Sequence, residues 1–580
     1  MVTKERTDGD GTVPDLPRHR RRRRIALAVA VATVVVGVVL RQLDLYDVSP
    51  GGAFVQAYVL PIFLALFAVS AVVALFAPLA GSMAAAFSIA LFVPFVFRMV
   101  EFRLGLVLVA VVAVQPAAWA LAEFERRHRV HDIDLSRRRT LVALGGSLVA
   151  LVAGTVVGRE IWGRLWGPTH PSSELAELDD SPVDWIWTGA VGPTEFDVRA
   201  RPRDAFTEAT LLVSTNEDLS DAREVPFADV FDRVTDFRVT GLEPATRHHY
   251  AVRLDGVVDR VRAGTVRTFP DGRAPIRLVF GACARIGSNG AVFDAIRAEE
   301  ADAYVCIGDF HYGDIFVDDV DDYRQVLDVQ LTRTAQSALY RSTPIAYVWD
   351  DHDYGPNDSN RDSAGRPAAM LAYREYVPHY DLAGPDSAIY QAFSVGRVRV
   401  LLSDCRSSRD PQSAPDTVEK SMLGFEQRAW LLDELTESAA THDLVIWVST
   451  VPWVADAREG ADHWGGYSAE RTLIADHVVE QGIDNLMMIC GDAHMVAIDD
   501  GTHTDYSSSP GTGFPLAHAA PLDRPGGTKG GPFTHGPVTG GGQYVVVDAT
   551  PDDGRLVVDL VAKNWADEEL LTHTFTVDLT

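Results

Sequence analysis

Six short stretches of this 580-residue chain combine side chains that hold cations, carry protons or clamp anions. Cys283 closes FGAC; Asp309, His311 and Tyr312 stand in GDFHYGD; Asp351, His352, Asp353 and Asn357 stand in DDHDYGPND. Asp404 and Arg406 follow in SDCRSSR, Ser449 and Thr450 in STVPW, and Asp492 and His494 in GDAH. An Asp can bridge two cations through its two oxygens, and a Tyr three residues on can reach one of them if the loop turns back. A phenolate suits ferric iron, whereas carboxylates and carbonyls suit calcium or magnesium. His352 could ligate metal, donate to a phosphate or protonate a leaving group. Arg406 has the planar fork that grips a phosphate oxygen pair. Cys283 could be a metal thiolate, a nucleophile or a small buried residue. Arg285 does not have the spacing of a cysteine-phosphatase loop, and no CxxC partner makes a zinc ribbon.

The elements around these residues place them together. Leu278–Ala282 reads as a buried strand, Ala291–Glu300 has helical spacing, and Ala303–Ile307 reads as a second strand ending at Gly308-Asp309. That is a βαβ unit, with Cys283 and Asp309 at successive strand exits. TPIAYVWDDHDYG, VRVLLSDCRSSR, DLVIWVSTVPW and NLMMICGDAH repeat the pattern of an apolar run followed by polar residues. Ligands in open α/β sheets bind beyond the carboxyl ends of strands, so a shared metal-dependent site is predicted there.

The remainder of the chain is bounded by composition. Net charge is −28 and only four residues are lysine, which suits a protein kept soluble in concentrated salt and opposes nucleic-acid binding. The four cysteines provide no disulfide framework. Residues 1–24 read as a basic cytoplasmic tail. Five apolar spans follow within 25–157, at 25–40, 53–75, 81–97, 104–122 and 140–157. The positive segments Arg18–Arg24 and Glu123–Arg139 would then share the cytoplasmic side. The expectation is a multi-pass cell-membrane protein with an extracellular catalytic domain. Residues 158–181 read as a linker. Residues 182–270 have the short alternating runs of an immunoglobulin- or fibronectin-like antiparallel β-sandwich. Residues 271–580 form the C-terminal domain, with the α/β repeats over 276–510, and the Gly/Pro-rich stretch 507–542 reads as a lid or a mobile loop.

In order, FGACAR, CIGDFHYGD, PIAYVWDDHDYGPND, LLSDCRSSR, MLGFEQRAWLLDEL, STVPW, DHWGGYSAER and ICGDAH resemble the alkaline phosphatase D (PhoD-like) family of metallophosphoesterases, over roughly 183–580. The resemblance implies a four-layer α/β/β/α sandwich with a centre of Fe(3+) and Ca(2+). It implies that Cys283, Asp309, Tyr312 and Asp492 bind iron, and that Asp309, Asn357 and His494, with Asp351, serve calcium. His352 and Arg406 would face the phosphate. DDHDYGPND departs from the shorter DDHE-type run of many members, which leaves Asp351, Asp353 and Asn357 as competing ligands. The implied activity is hydrolysis of phosphate esters by a metal-activated hydroxide. The competing reading from another class is a non-catalytic membrane receptor that binds phosphate esters through a retained phosphatase fold.

Overall fold

Runs of β-branched and aromatic residues, cut by Gly, Pro and Asp turns, make the chain strand-rich wherever it is described, over residues 169–509, 511 and 513–579 of a computed structural model. These residues lie in one unit of the chain, Leu165–Thr580. Nine short strands come first: β1 (Val183–Gly189), β2 (Glu195–Pro202), β3 (Ala209–Ser214), β4 (Arg223–Pro226), β5 (Asp229–Phe231), β6 (Val234–Thr240), β7 (Arg247–Leu254), β8 (Val257–Val258) and β9 (Gly264–Arg267). Then come β10 (Ile276–Gly281), α1 (Ala291–Ala298), β11 (Ala303–Ile307), α2 (Val320–Leu331), α3 (Thr334–Tyr340), β12 (Ile345–Val348), the single turn α4 (Asp351–Tyr354) and α5 (Arg366–Tyr376). The next group is β13 (Gln391–Val395), β14 (Val398–Ser403), α6 (Phe425–Thr441), β15 (Leu444–Ser449), α7 (Ser468–Glu480), β16 (Leu486–Cys490), β17 (Met495–Asp499), β18 (Leu516–Ala519) and β19 (His535–Thr539). The long strands β20 (Gln543–Asp552), β21 (Arg555–Asn564) and β22 (Glu569–Asp578) end the chain.

Ten strands form one sheet in the order β22-β21-β20-β10-β11-β12-β1-β2-β6-β5. Seven form a second, β13-β14-β15-β16-β18-β17-β19. Alternate residues of both, such as Val279 and Val305 from the first and Val400, Ile446 and Ile489 from the second, share one apolar core. The other face of the seven-stranded sheet, with Leu401, Val445, Trp447 and Met488, packs against Leu431 and Leu435 of α6 and Ile474 of α7. Burying that much aliphatic surface on both faces explains why β15 and β16 are continuous apolar runs, not alternating ones.

The small sandwich is not closed off from this core. β1 pairs parallel with β12 through Gly189 and Ile345, so β1, β2, β6 and β5 extend the ten-stranded sheet. Only β3, β4, β7, β8 and β9 form the separate facing sheet. Gly189 permits this junction, because a Cβ there would lie 2.4 Å from the Ile345 carbonyl oxygen.

The expected N-terminal helical transmembrane bundle is corrected here, and with it the multi-pass membrane location and the membrane as a partner through N-terminal helices. Among the described residues no helix is long and apolar enough to cross a membrane. The longest helix among the described residues, α6, has 17 residues, and its Glu426, Arg428, Asp433, Glu434 and Glu437 spread charge along its length. The five spans read within 25–157 lie outside the described residues.

Candidate metal centre

The carboxyl ends of β10, β11, β12, β14, β15 and β16 meet where the two sheets adjoin, and two glycines allow the approach. A Cβ on Gly308, whose φ is +98°, would lie 2.5 Å from Cβ of Asp350. A Cβ on Gly491 would lie 2.5 Å from the Ile307 carbonyl oxygen and 2.9 Å from that of Thr450. The Gly-Asp pairs 308–309 and 491–492 are therefore packing requirements first, each setting an Asp at the seam.

The backbone at this seam is bent to aim side chains. Cys283, Asp309, Asp492 and His494 have φ values of +64°, +51°, +60° and +28°, as do Asp314 at +50° and Asp358 at +61°. Each such residue costs about 1 kcal/mol or more, and strain of this kind collects where function demands an orientation. Three donor groups result, the ligand atoms of each within 4.8 Å of one another: Cys283 with Asp309 and His494, Asp309 with Asp351 and His352, and Asp351 with Asp358 and Asp462. Asp309 and Asp351 are each shared by two groups, giving a chain of positions instead of one pocket.

Hydrogen bonds orient the ligands. The Tyr312 hydroxyl donates to Asp309 Oδ2 at 2.7 Å and lies 2.9 Å from His494 Nε2. His494 Nδ1 lies 3.0 Å from the Pro525 carbonyl, which fixes Nδ1 as the protonated nitrogen and Nε2 as the inward one. Burial, helped by Arg524, lowers the His494 pKa to about 4, so the ring is neutral and ready to ligate. His352 lies against the Tyr312 ring, with centroids 4.1 Å apart, and its Nδ1 lies 2.6 Å from Asp314 Oδ1. Burial opposes a charge on His352, but Asp351, Asp314 and Asp309 outweigh it and raise its pKa well above the ordinary value.

Cations fit this donor set. Asp309 is 2% exposed, and its Oδ1 is buried without a hydrogen-bond partner. Burial, followed by the charges of Asp309 and Asp492, pushes the Cys283 thiol well up. A bound cation reverses both penalties by favouring thiolate and carboxylate together.

The structure does not bring every expected residue to the seam. Asn357 and Asp358 are both exposed; the Asp358 carboxylate belongs to the third group, and its left-handed backbone lets its N–H donate to Asp351 Oδ2 at 2.7 Å. Asp353 turns away to accept from the backbone N–H groups of His311 and Asp350, at 2.9 and 3.1 Å. Arg406 is completely buried and engaged: Nε and Nη2 donate to Asp350 at 2.5 and 3.0 Å, and Nη1 and Nη2 to Asp462 at 2.9 and 3.2 Å. Two carboxylates occupy the fork, which ties Arg406 to the acidic residues of the seam. His311 is buried and accepts from the Gly313 N–H, outside the donor groups.

Four contributors were missed. Asp358 was hidden behind Asn357. Asp462 precedes Trp464, whose Nε1 donates to Ser449 Oγ at 2.9 Å and whose ring packs edge-on against Trp447 and Trp453, anchoring the loop. Arg524 and Lys529 come from the Gly/Pro-rich segment between β18 and β19. Arg524 lies 4.1 Å over the Tyr312 ring, and Lys529 pairs with Asp492 and lies 3.7 Å from Asp462. Lys529 carried a signal, being one of four lysines in the chain.

Comparison with known proteins agrees with this geometry. Residues 278–529 match the PhoD-like phosphatase family model. No match is found among curated protein sequences. The solved structure of PhoD aligns over 69% of this chain and 90% of its own, at 18% identity and a TM-score of 0.55, which is a shared fold. A dimetal phosphatase from Danio rerio covers 53% of this chain and 99% of its own, at 14% identity and a TM-score of 0.32, too weak a likeness to inform the fold. With Cys283, Asp309 and His494 gathered within the matched residues, residues 278–529 carry a PhoD-like phosphatase domain, a hydrolase of phosphoric ester bonds.

Proposed function

We propose that the three donor groups are the catalytic metal centre and that phosphate esters are hydrolysed above it. The carrying observation is Asp309, buried with one oxygen held by Tyr312 and the other without a hydrogen-bond donor, and shared by two of the groups. Cys283, Asp309, Tyr312, Asp492 and His494 would hold a ferric ion, the thiolate and phenolate matching that cation. The all-carboxylate group of Asp351, Asp358 and Asp462 would hold calcium. When bound, such cations supply an activated water and polarise the phosphoryl oxygens.

The chain's own residues do the rest. His352, oriented through Nδ1 by Asp314 at 2.6 Å, serves in this reading not as a ligand but as the proton donor to the departing oxygen. Arg524 over the Tyr312 ring and Lys529 beside Asp492, both from the β18–β19 segment, supply positive charge toward the phosphoryl group. Arg406 and Arg409 hold Asp462; burial disfavours that carboxylate, but Arg406, Arg409 and Lys529 keep it well below the usual range and so charged. The test is hydrolysis of mono- and bis-nitrophenyl phosphate by the full chain with and without chelator, and after readdition of iron and calcium. Activity unaffected by thorough metal removal would overturn the proposal.

A further inference from the structure

A cavity of about 340 Å³ lies between β7 and the ends of α1 and α3, and shares no lining residue with the metal-ligand groups. Its walls carry Arg260, Arg297, Arg341 and His249, and the sole carboxylate lining it is Glu217, which is exposed. Among the described residues none of these three arginines is in an ion pair. Their hydrogen bonds go to neutral groups: Arg341 Nη1 to Ser337 Oγ at 3.1 Å and Arg260 Nη2 to the Asp218 carbonyl at 3.1 Å. Arg297 Nε is buried with no hydrogen-bond partner. Two bonds to the Arg341 carbonyl, from the Tyr250 hydroxyl and the Thr265 N–H, both 2.9 Å, fix the wall in place.

Guanidinium groups gathered in a concavity without a counter-ion are costly, because burial and mutual repulsion add. Burial, reinforced by Arg297 and Arg262, works against the charge of Arg341. Acids are not scarce in a chain of net charge −28, so the excess of three arginines over the one lining carboxylate is a feature of the site. Planar guanidinium forks match tetrahedral oxyanions. The volume is at the lower end of that of small-molecule pockets, enough for a phosphate head with a small organic part, and Leu219 and Ala338 supply apolar wall for the latter.

We infer that this cavity is a second binding site, distinct from the metal centre, for the multivalent oxyanion head of a small phosphorylated molecule. The test is calorimetric titration of inorganic pyrophosphate into the full chain after chelation and removal of chelator, when the metal centre cannot hold phosphate. One-to-one binding is expected, weakened ~10-fold or more in Arg297→Gln, the loss of a charge-assisted bond. Arg260→Gln, at the exposed rim, should weaken it several-fold with an unchanged unfolding midpoint. Asp309→Asn should bind as wild type, separating this site from the catalytic reading. No binding by the metal-free wild type, or binding undiminished in both arginine variants, would overturn the inference.

Discussion

Arg406 and Asp350 form a completely buried pair, with Nε and Nη2 of the arginine on the two carboxylate oxygens at 2.5 and 3.0 Å. Asp350 also accepts from Thr450 Oγ1 at 2.8 Å, so the pair ties the exit of β12 to those of β14 and β15. It is the strut that sets the distance between the two sheets at the metal-ligand groups.

Removing the strut should therefore cost stability before it costs substrate affinity. Arg406→Ala would leave Asp350 buried and unpaired, a loss of about 3–5 kcal/mol. Denaturant unfolding measures it. An Arg406→Ala protein of wild-type stability with only a raised KM would restore the phosphate-clamp reading.

Arg524 predicts the opposite pattern. Arg524→Ala should keep stability and metal content, and lower kcat/KM by ~10–100-fold through one charge-assisted contact. A monoester, with more charge on its phosphoryl group, should suffer more than a diester. Steady-state kinetics on both nitrophenyl esters checks this; equal rates to wild type on both would remove Arg524 from the site.

The turn after α4 separates two assignments. Asn357→Ala should leave metal stoichiometry and turnover near wild type, because it is the Asp358 carboxylate that lies within 4.8 Å of those of Asp351 and Asp462. Asp358→Asn should lower bound calcium and slow turnover by ~10-fold or more. Metal analysis of both purified variants decides it, and the reverse pattern would return the ligand role to Asn357.

These outcomes follow the divide between what the sequence exposed and what it hid. The gathering of Cys283, Asp309 and His494 was legible because each follows a short apolar run, and a strand exit has few places to point. The span read for β11, Ala303–Ile307, is the strand observed. Asp358 and Asp462 were not legible, since left-handed backbone at Asp358 and a Trp-anchored loop before Trp464 are tertiary outcomes. The same holds for Arg406: its type suggested a clamp, and only the buried carboxylates beside it show that its donors are taken. The joining of β1 to β12 depends on one glycine contact that no periodicity records.

Acid should weaken the fold through His518. It is completely buried on β18 beneath Phe533, with ring centroids 5.2 Å apart, and burial lowers its pKa to about 3. The folded pKa lies below the unfolded 6.5, so this contribution is full above pH ~6.5 and is lost progressively as pH falls toward ~3. His518→Leu should flatten stability across that window, as read by unfolding at a series of pH values. An unchanged pH profile would contradict it.

Salt should act in the other direction. With a net charge of −28, repulsion between acids should be relieved by screening, and the unfolding temperature should rise by several degrees between ~0.1 and ~2 M potassium chloride. A flat or falling midpoint would exclude charge repulsion as a limit on stability.

The most direct test of the metal-centre assignment is metal content and rate measured together in Asp309→Asn. Asp309 joins two donor groups, so the folded variant should lose bound metal and at least ~100-fold of the chelator-sensitive hydrolysis of nitrophenyl phosphate, no less than the loss of an outer-shell partner. A folded Asp309→Asn protein with wild-type metal content and wild-type turnover would contradict the assignment of the seam as the catalytic centre.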